Sequence, residues 1–378
     1  MEPFFEQCGL SAGSSVVLDT REAALAFPRG DLLLAFCPAC GFICNVLFEE
    51  RVAEVASRHE DTQAHSPAYA RYLRGLAADL VRRHGLHGRR VVEVGCGQGE
   101  FLALLAQLGG NEGLGFDPVY DAGRGVLDGT GARALAAPYD SRQPPPEADL
   151  VCCKMTLEHI PDVAPFMSGL AGALRQEDAA HLMVQVPDAG RIFRDCAFED
   201  IYYEHCSYFT AGSLARLVRA QGLAVDRIDI GYAGQHLTIE AHRAADAATR
   251  PPLPGEEPPA GIAAWVGDFT ATYARRVSQW RAQLARCQQR GPVVLWGSGS
   301  KAVSFMKAVD EEQQIGHVVD INPFRQGRYV ACSGQRIMAP AEVPDVRPAA
   351  VVVMNPVYRE EVAGMLRDMD VDAQVLSL

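Results

Sequence analysis

The twelve residues Glu199–Thr210 read EDIYYEHCSYFT and gather three tyrosines, one phenylalanine, two glutamates and a histidine. His205 is the side chain there whose free pKa lies near neutrality, so it is the candidate general base. A base matters most when carbon is the nucleophile, because a C–H must lose its proton before the carbon can attack an electrophile. Tyr202, Tyr203 and Glu204 would position a substrate and orient the imidazole. The plainer reading is a buried strand that alternates its rings in and out, with a histidine that is merely hydrogen-bonded.

Two glycine-rich turns are the other candidates. VVEVGCGQGEF runs from a strand pattern into a helix pattern and carries Glu93, Gly95, Gly97 and Gly99. Gly95 and Gly97 allow a tight turn and close approach of a ligand to the backbone. The helix start that follows favours an anionic group such as a carboxylate. Asp117 ends GLGFD, 22 residues after Gly95, where a carboxylate can take the two hydroxyls of a ribose. A dinucleotide site spaces its glycines as G-x-G-x-x-G, and this turn packs them closer. The second turn, VVLWGSGSKAVSF, has Gly297-x-Gly299-x-x-Ala302, with Asp320 ending HVVD. Alone it reads as a dinucleotide fingerprint, which makes an NAD-linked unit a formal rival. Lys301, at the helix start, could instead pair with a phosphate.

The elements that must hold these residues alternate. Helical AYARYLRGLAADLVRRHG is followed by strand RRVVEVGCG, helix EFLALLAQLGG, strands GLGFD and ADLVCCKM, helix VAPFMSGLAGALR and strand AHLMVQVPD. Such alternation predicts a doubly wound parallel sheet. It resumes after residue 291 with PVVLWGSGS, KAVSFMKAVD, IGHVVDINP and PAAVVVMNP. Between the two, residues 242–261 are rich in Pro, Ala and acid and read as a linker. Beyond it, Ile262, Trp265, Val266, Phe269, Tyr273, Val277, Trp280, Leu284 and Cys287 recur at helical spacing. That apolar face packs on its own chain or, in a homodimer, on a second copy. The division expected is 1–60, a small N-terminal region; 61–245, the first α/β domain; 246–290, linker and long helix; and 291–378, a smaller Rossmann-like α/β domain.

The 378 residues carry a formal net charge of −12, from 35 basic and 47 acidic side chains. No basic block stands out, which speaks against a nucleic-acid partner. MEPFFEQCGL lacks the pattern of a secretory leader, and no apolar run is long enough to span a bilayer. The 11 cysteines are odd in number and scattered, as in the reduced proteins of a cytoplasm.

Glu93-x-Gly95-x-Gly97-x-Gly99 resembles motif I of the class I S-adenosylmethionine (SAM) methyltransferases. The resemblance continues in Asp117, in APYD ending at Asp140, and in ADLVCCKMTLEHIPDV. It implies the class I methyltransferase Rossmann-like sheet, with Asp140 near the adenine and Lys154, Met155 and His159 bordering SAM. More widely, IYYEHCSYF, TLEHIPD and WGSGSKA…VVDINPFRQGRYV are similar to the SAM-dependent C-methyltransferases of deoxysugar biosynthesis, over nearly the whole chain. That family methylates carbon on nucleotide-linked keto-sugars and has an N-terminal zinc-binding part. The resemblance carries the base role to His205 and pocket roles to Tyr202, Glu204 and His159. It carries Tyr69, in AHSPAY, to a segment folded over the active site. It puts the second turn on the acceptor side, with Lys301 and Arg328, beside Asn322 and Arg325, toward a nucleotide diphosphate. N- or O-methylation of a non-sugar small molecule is the alternative. Zinc is the open point: Cys37 and Cys40 in FCPACGF form one pair, the family's second pair has no counterpart, and Cys8 stands alone.

Overall fold

A computed structural model describes residues 1–54, 66–140, 142, 147–175, 180–310 and 314–378. The boundary expected between residues 60 and 61 lies outside them. Residues 66–243 build a seven-stranded sheet. From edge to edge its strands are Leu223–Gly231, His236–Arg243, His181–Pro187, Leu150–Lys154, Arg90–Val94, Glu112–Phe116 and Ala132–Leu135. The last five run parallel. The first two form an antiparallel hairpin on the edge, so the sheet is mixed rather than wholly parallel. A strand joined to its partner by a short turn must reverse direction, and the helix–strand alternation carried no sign of that hairpin.

Each crossover helix is cut to length by local signals. Helix Glu100–Gly109 stops where Gly110 takes the left-handed conformation at φ 62° and donates its N–H to the Ala106 carbonyl. Helix Ala211–Arg219 starts with a reciprocal Thr210–Ser213 capping box. The C-terminal sheet is parallel, in the order Ile337–Met338, His317–Val319, Val293–Trp296, Ala350–Val353 and Gln374–Ser377.

The N-terminal region forms a third, antiparallel sheet from Glu2–Ser11, Arg29–Phe36, Ile43–Asn45 and Ser207–Tyr208. Its fourth strand comes from the aromatic stretch itself. Val17–Leu18 also pairs with Tyr329–Val330, which ties this region to the C-terminal sheet.

The long helix runs Pro259–Gln288, and all nine residues of its apolar face join a single core with the N-terminal strands and the C-terminal domain. Phe269 meets Phe5 at 5.1 Å and Phe193 at 5.2 Å edge to face, pairs worth about 0.5–1.5 kcal/mol each beyond area burial. The face packs on its own chain. The linker before it is held down as well: Arg219 pairs bidentately with Glu256 at 2.6 and 2.7 Å, and Glu257 accepts from the Gly212 amide at 2.8 Å. No helix among the described residues is long and apolar enough to cross a membrane.

Candidate active site

Both glycine-rich turns and the aromatic stretch open onto one cavity of 950 Å³. At the first turn the Gly95 amide donates to the Phe116 carbonyl at 2.8 Å. Asp117 accepts from the amides of Gly97 at 2.8 Å and Val119 at 2.9 Å, so its carboxylate is aimed before any ligand arrives. Gly97 has φ 56°, and a Cβ there would meet no protein atom within 4 Å. It would project into cavity space, so the glycine leaves room for a ligand rather than for packing. Gly95 is different: a Cβ would lie 1.8 Å from Thr156 Oγ1. Gly99 heads the helix Glu100–Gly109 outside the cavity lining. An open glycine, an oriented carboxylate and a helix start together fit the amino-acid and ribose ends of SAM.

Glu93, 1% exposed, lies on the strand below. Burial pushes its carboxyl up to about 8. Burial pulls the Lys154 ammonium down, but Tyr69 and Glu93 more than offset this and hold it at about 12. Tyr69 also packs in a cluster with Tyr72, tilted at 6.2 Å, and Tyr232, edge to face at 5.6 Å. Met155 lines the cavity with φ 52°, a left-handed conformation that costs a non-glycine residue about 1–2 kcal/mol. Asp140 is absent from the cavity lining. It turns to Arg142, at 2.9 Å, while its neighbours Pro138 and Tyr139 form the wall.

Across the cavity, His205 is 7% exposed and lies edge-on to Tyr202 at 4.6 Å and to His159 at 4.8 Å. Its ring makes no hydrogen bond among the described residues. Burial, and after it His159, pushes the His205 pKa well below its ordinary value, so the ring is neutral near pH 7. His159 faces the cavity and donates Nδ1–H to the Glu204 carbonyl at 3.1 Å, which leaves Nε2 as the lone-pair atom. Glu204 is anchored by the Ser14 amide at 2.9 Å and by the Ser14 hydroxyl. The Tyr202 hydroxyl donates to Asp200 at 2.7 Å.

Asp200 is the hub that sequence reasoning missed. It receives Tyr202, Arg191 at 2.5 Å and the Lys301 ammonium. Burial opposes its charge, yet Lys301 and Arg191 hold the carboxyl at about 2. Lys301 thus reaches across from the second turn to the aromatic stretch. The signal was present, because Asp200 stands inside EDIYYEH, but its partner lies in the C-terminal domain.

Two residues expected on the acceptor side are absent from the cavity lining. Tyr203 lies under the N-terminal sheet, with its ring against Gly30 and its hydroxyl accepting from the Glu49 amide at 2.9 Å. Arg328 is half-exposed beside Asp19 at 3.4 Å. Cys37 and Cys40 are free thiols in a turn closed by the Cys37 amide on the Phe42 carbonyl at 2.8 Å. A structural zinc takes four ligands, and this pair would make up only two of them. Among the described residues, the one cluster of three or more metal-ligating side chains is elsewhere, at Glu158, His159 and His205.

Comparison with known proteins bears on the two halves separately. Residues 69–228 match the family described as a methyltransferase domain, and residues 257–373 the family described as a C-methyltransferase C-terminal domain. The C-methyltransferase NovU of Streptomyces niveus is 29% identical over 296 residues, 72% of this chain and 69% of that one. The ubiquinone biosynthesis O-methyltransferase of Aeromonas salmonicida is 27% identical over 169 residues, 39% of this chain and 69% of that one. Among solved structures, the 1,6-didemethyltoxoflavin-N1-methyltransferase of Burkholderia thailandensis is 18% identical with a TM-score of 0.42, covering 54% of this chain and 96% of that one. With the sheet order, the open Gly97 cradle and the two matched families in hand, the chain is a SAM-dependent methyltransferase with a C-methyltransferase C-terminal domain.

Proposed function

We propose that the enzyme methylates a carbon next to a ketone on a nucleotide-linked deoxysugar, with His205 as the base. The observation that carries this is the His205 imidazole, neutral and without a hydrogen bond among the described residues, on the wall of the cavity that also holds Gly97 and Asp117. A neutral ring without a partner is free to accept a proton. The sugar acceptor rests on the similarity of IYYEHCSYF and TLEHIPD to the deoxysugar C-methyltransferases, and methylation on carbon also on the relative named C-methyltransferase NovU.

In this reading the α-carbon proton moves to an imidazole nitrogen of His205, and its electron pair enters the enolate. SAM, held by Asp117 and the turn at Gly97, would supply the methyl group, with the C–S electron pair leaving on sulfur. The enolate carbon takes that methyl and the ketone re-forms. Tyr202 packs edge-on against the imidazole and its hydroxyl is held by Asp200, so it orients the base. The Lys301 charge acts on His205 and would stabilise a developing oxyanion on the same wall. Holding both reactants in one cavity supplies the proximity term.

Two measurements test this. His205→Asn should keep SAM affinity, read by calorimetry, and lose turnover by about 10²–10⁴-fold; turnover at the wild-type rate removes His205 from the chemistry. Incubation with SAM and keto-deoxysugar nucleotides in deuterated water should exchange one sugar C–H. A product methylated on nitrogen or oxygen without such exchange would replace the carbon reading.

A further inference from the structure

Glu158, His159 and His205 converge on one point of the cavity wall, each bringing one metal-ligating atom to within 4.8 Å of the other two. Glu158 is 2% exposed, and both of its carboxylate oxygens are buried with no hydrogen-bond partner among the described residues. Polar groups buried this deeply are nearly always completed by a donor or a cation. The two imidazoles are prepared for a cation. His159 donates Nδ1–H to the Glu204 carbonyl at 3.1 Å, which fixes the tautomer and turns the Nε2 lone pair outward. Metal-ligating histidines are usually held by such a bond. His205 has its lone pair uncommitted among the described residues.

We propose that these three side chains form a two-histidine, one-carboxylate site for a divalent transition-metal ion of the zinc type. Tetrahedral bonds of about 2.0–2.1 Å set ligand atoms roughly 3.3 Å apart, so side-chain rotations of modest size close the cluster. The open side faces the cavity, where water or an acceptor oxygen takes the fourth position. A metal bound here occupies the lone pair that would accept the substrate proton, so metal binding and turnover exclude each other. That exclusion rests on His205 as the base; the binding itself does not.

Equilibrium dialysis of the chelator-stripped full chain against Zn²⁺, without SAM or acceptor, is the test of binding. The expected result is one ion per chain, in the wild type and in a Cys37→Ser/Cys40→Ser double variant. Glu158→Gln and His159→Gln should each weaken binding at least ~10-fold. Should Glu158→Gln fail to fold, the cavity-facing His159→Gln gives the same readout. Co²⁺ in place of Zn²⁺ should show ligand-field bands without thiolate charge transfer. No bound zinc, or zinc lost in the cysteine variant and kept in Glu158→Gln, overturns the site. Reversible inhibition of turnover by Zn²⁺ supports the exclusion. Stoichiometric zinc without inhibition leaves the site standing and overturns the role of His205.

Discussion

The two glycine-rich turns share a plan and differ in what fills it. In each, a glycine amide donates to the end of the neighbouring strand, Gly95 to Phe116 and Gly297 to Val319, both at 2.8 Å. In each, an aspartate at that strand's end accepts from a turn amide and from the amide two residues beyond itself. The first turn then stops, leaving Asp117 and the space beside Gly97 open. The second is plugged from within. The Ser298 hydroxyl donates to Asp320 at 2.6 Å, and Arg325 lies 3.6 Å from the same carboxylate while binding the Ser298 hydroxyl and carbonyl and the Ser15 carbonyl. The strands differ too: Glu93 is buried before the first turn and Leu295 before the second. One fingerprint thus supports a ligand in one place and packing in the other. The occupancy of the aspartate and the residue buried on the strand before the turn tell them apart.

That contrast can be broken by experiment. The largest effect should come from Asp320→Ala, which strips a buried guanidinium of its counterion. About 3–5 kcal/mol of stability should be lost in denaturant titrations, with SAM affinity within twofold of wild type. Asp117→Ala should do the reverse, weakening SAM about 100-fold by calorimetry, some 2.7 kcal/mol, at nearly unchanged melting temperature. Next is Glu93→Gln. The Glu93 pKa is raised to about 8 from an ordinary value near 4.3. The folded state therefore holds the extra proton, and stability falls as pH rises through that window. The apo variant should gain roughly 2 kcal/mol over wild type between pH 6 and pH 8; a pH-independent difference would remove the buried-acid account. The smallest effect expected is none: NAD should not shift the melting curve, because the Ser298 hydroxyl and Arg325 already hold the Asp320 carboxylate. A shift with NAD would reopen the second turn as a dinucleotide site.

The sequence made local patterns legible. Strand and helix periods, the Gly95–Gly97 turn with Asp117, and the nine-residue face of the long helix are each written in consecutive or regularly spaced residues. What it hid depends on pairing across distance. The N-terminal sheet borrows Ser207–Tyr208 as its fourth strand, and no period in residues 1–54 announces that partner. Lys301 looks like a phosphate ligand until Asp200 is placed against it. Tyr203 and Tyr202 are neighbours with the same chemistry, yet chain alternation sends one to a core and the other to the cavity. Glu158 stands inside TLEHIPD, but nothing local says that both of its oxygens lack partners among the described residues.

The loop carrying His205 is clamped from two foreign regions at once. Ser14 of the N-terminal region grips Glu204, while Lys301 and Ser304 of the C-terminal domain grip Asp200 and the Ile201 carbonyl. Modular exchange is therefore constrained. A chimera that grafts another enzyme's C-terminal half onto this methyl-transfer half, in the hope of a new acceptor, would strand Asp200 without its ammonium counterion and loosen the loop it meant to reuse. Redesign of acceptor choice here has to carry the residue 199–206 loop along with the half that holds it.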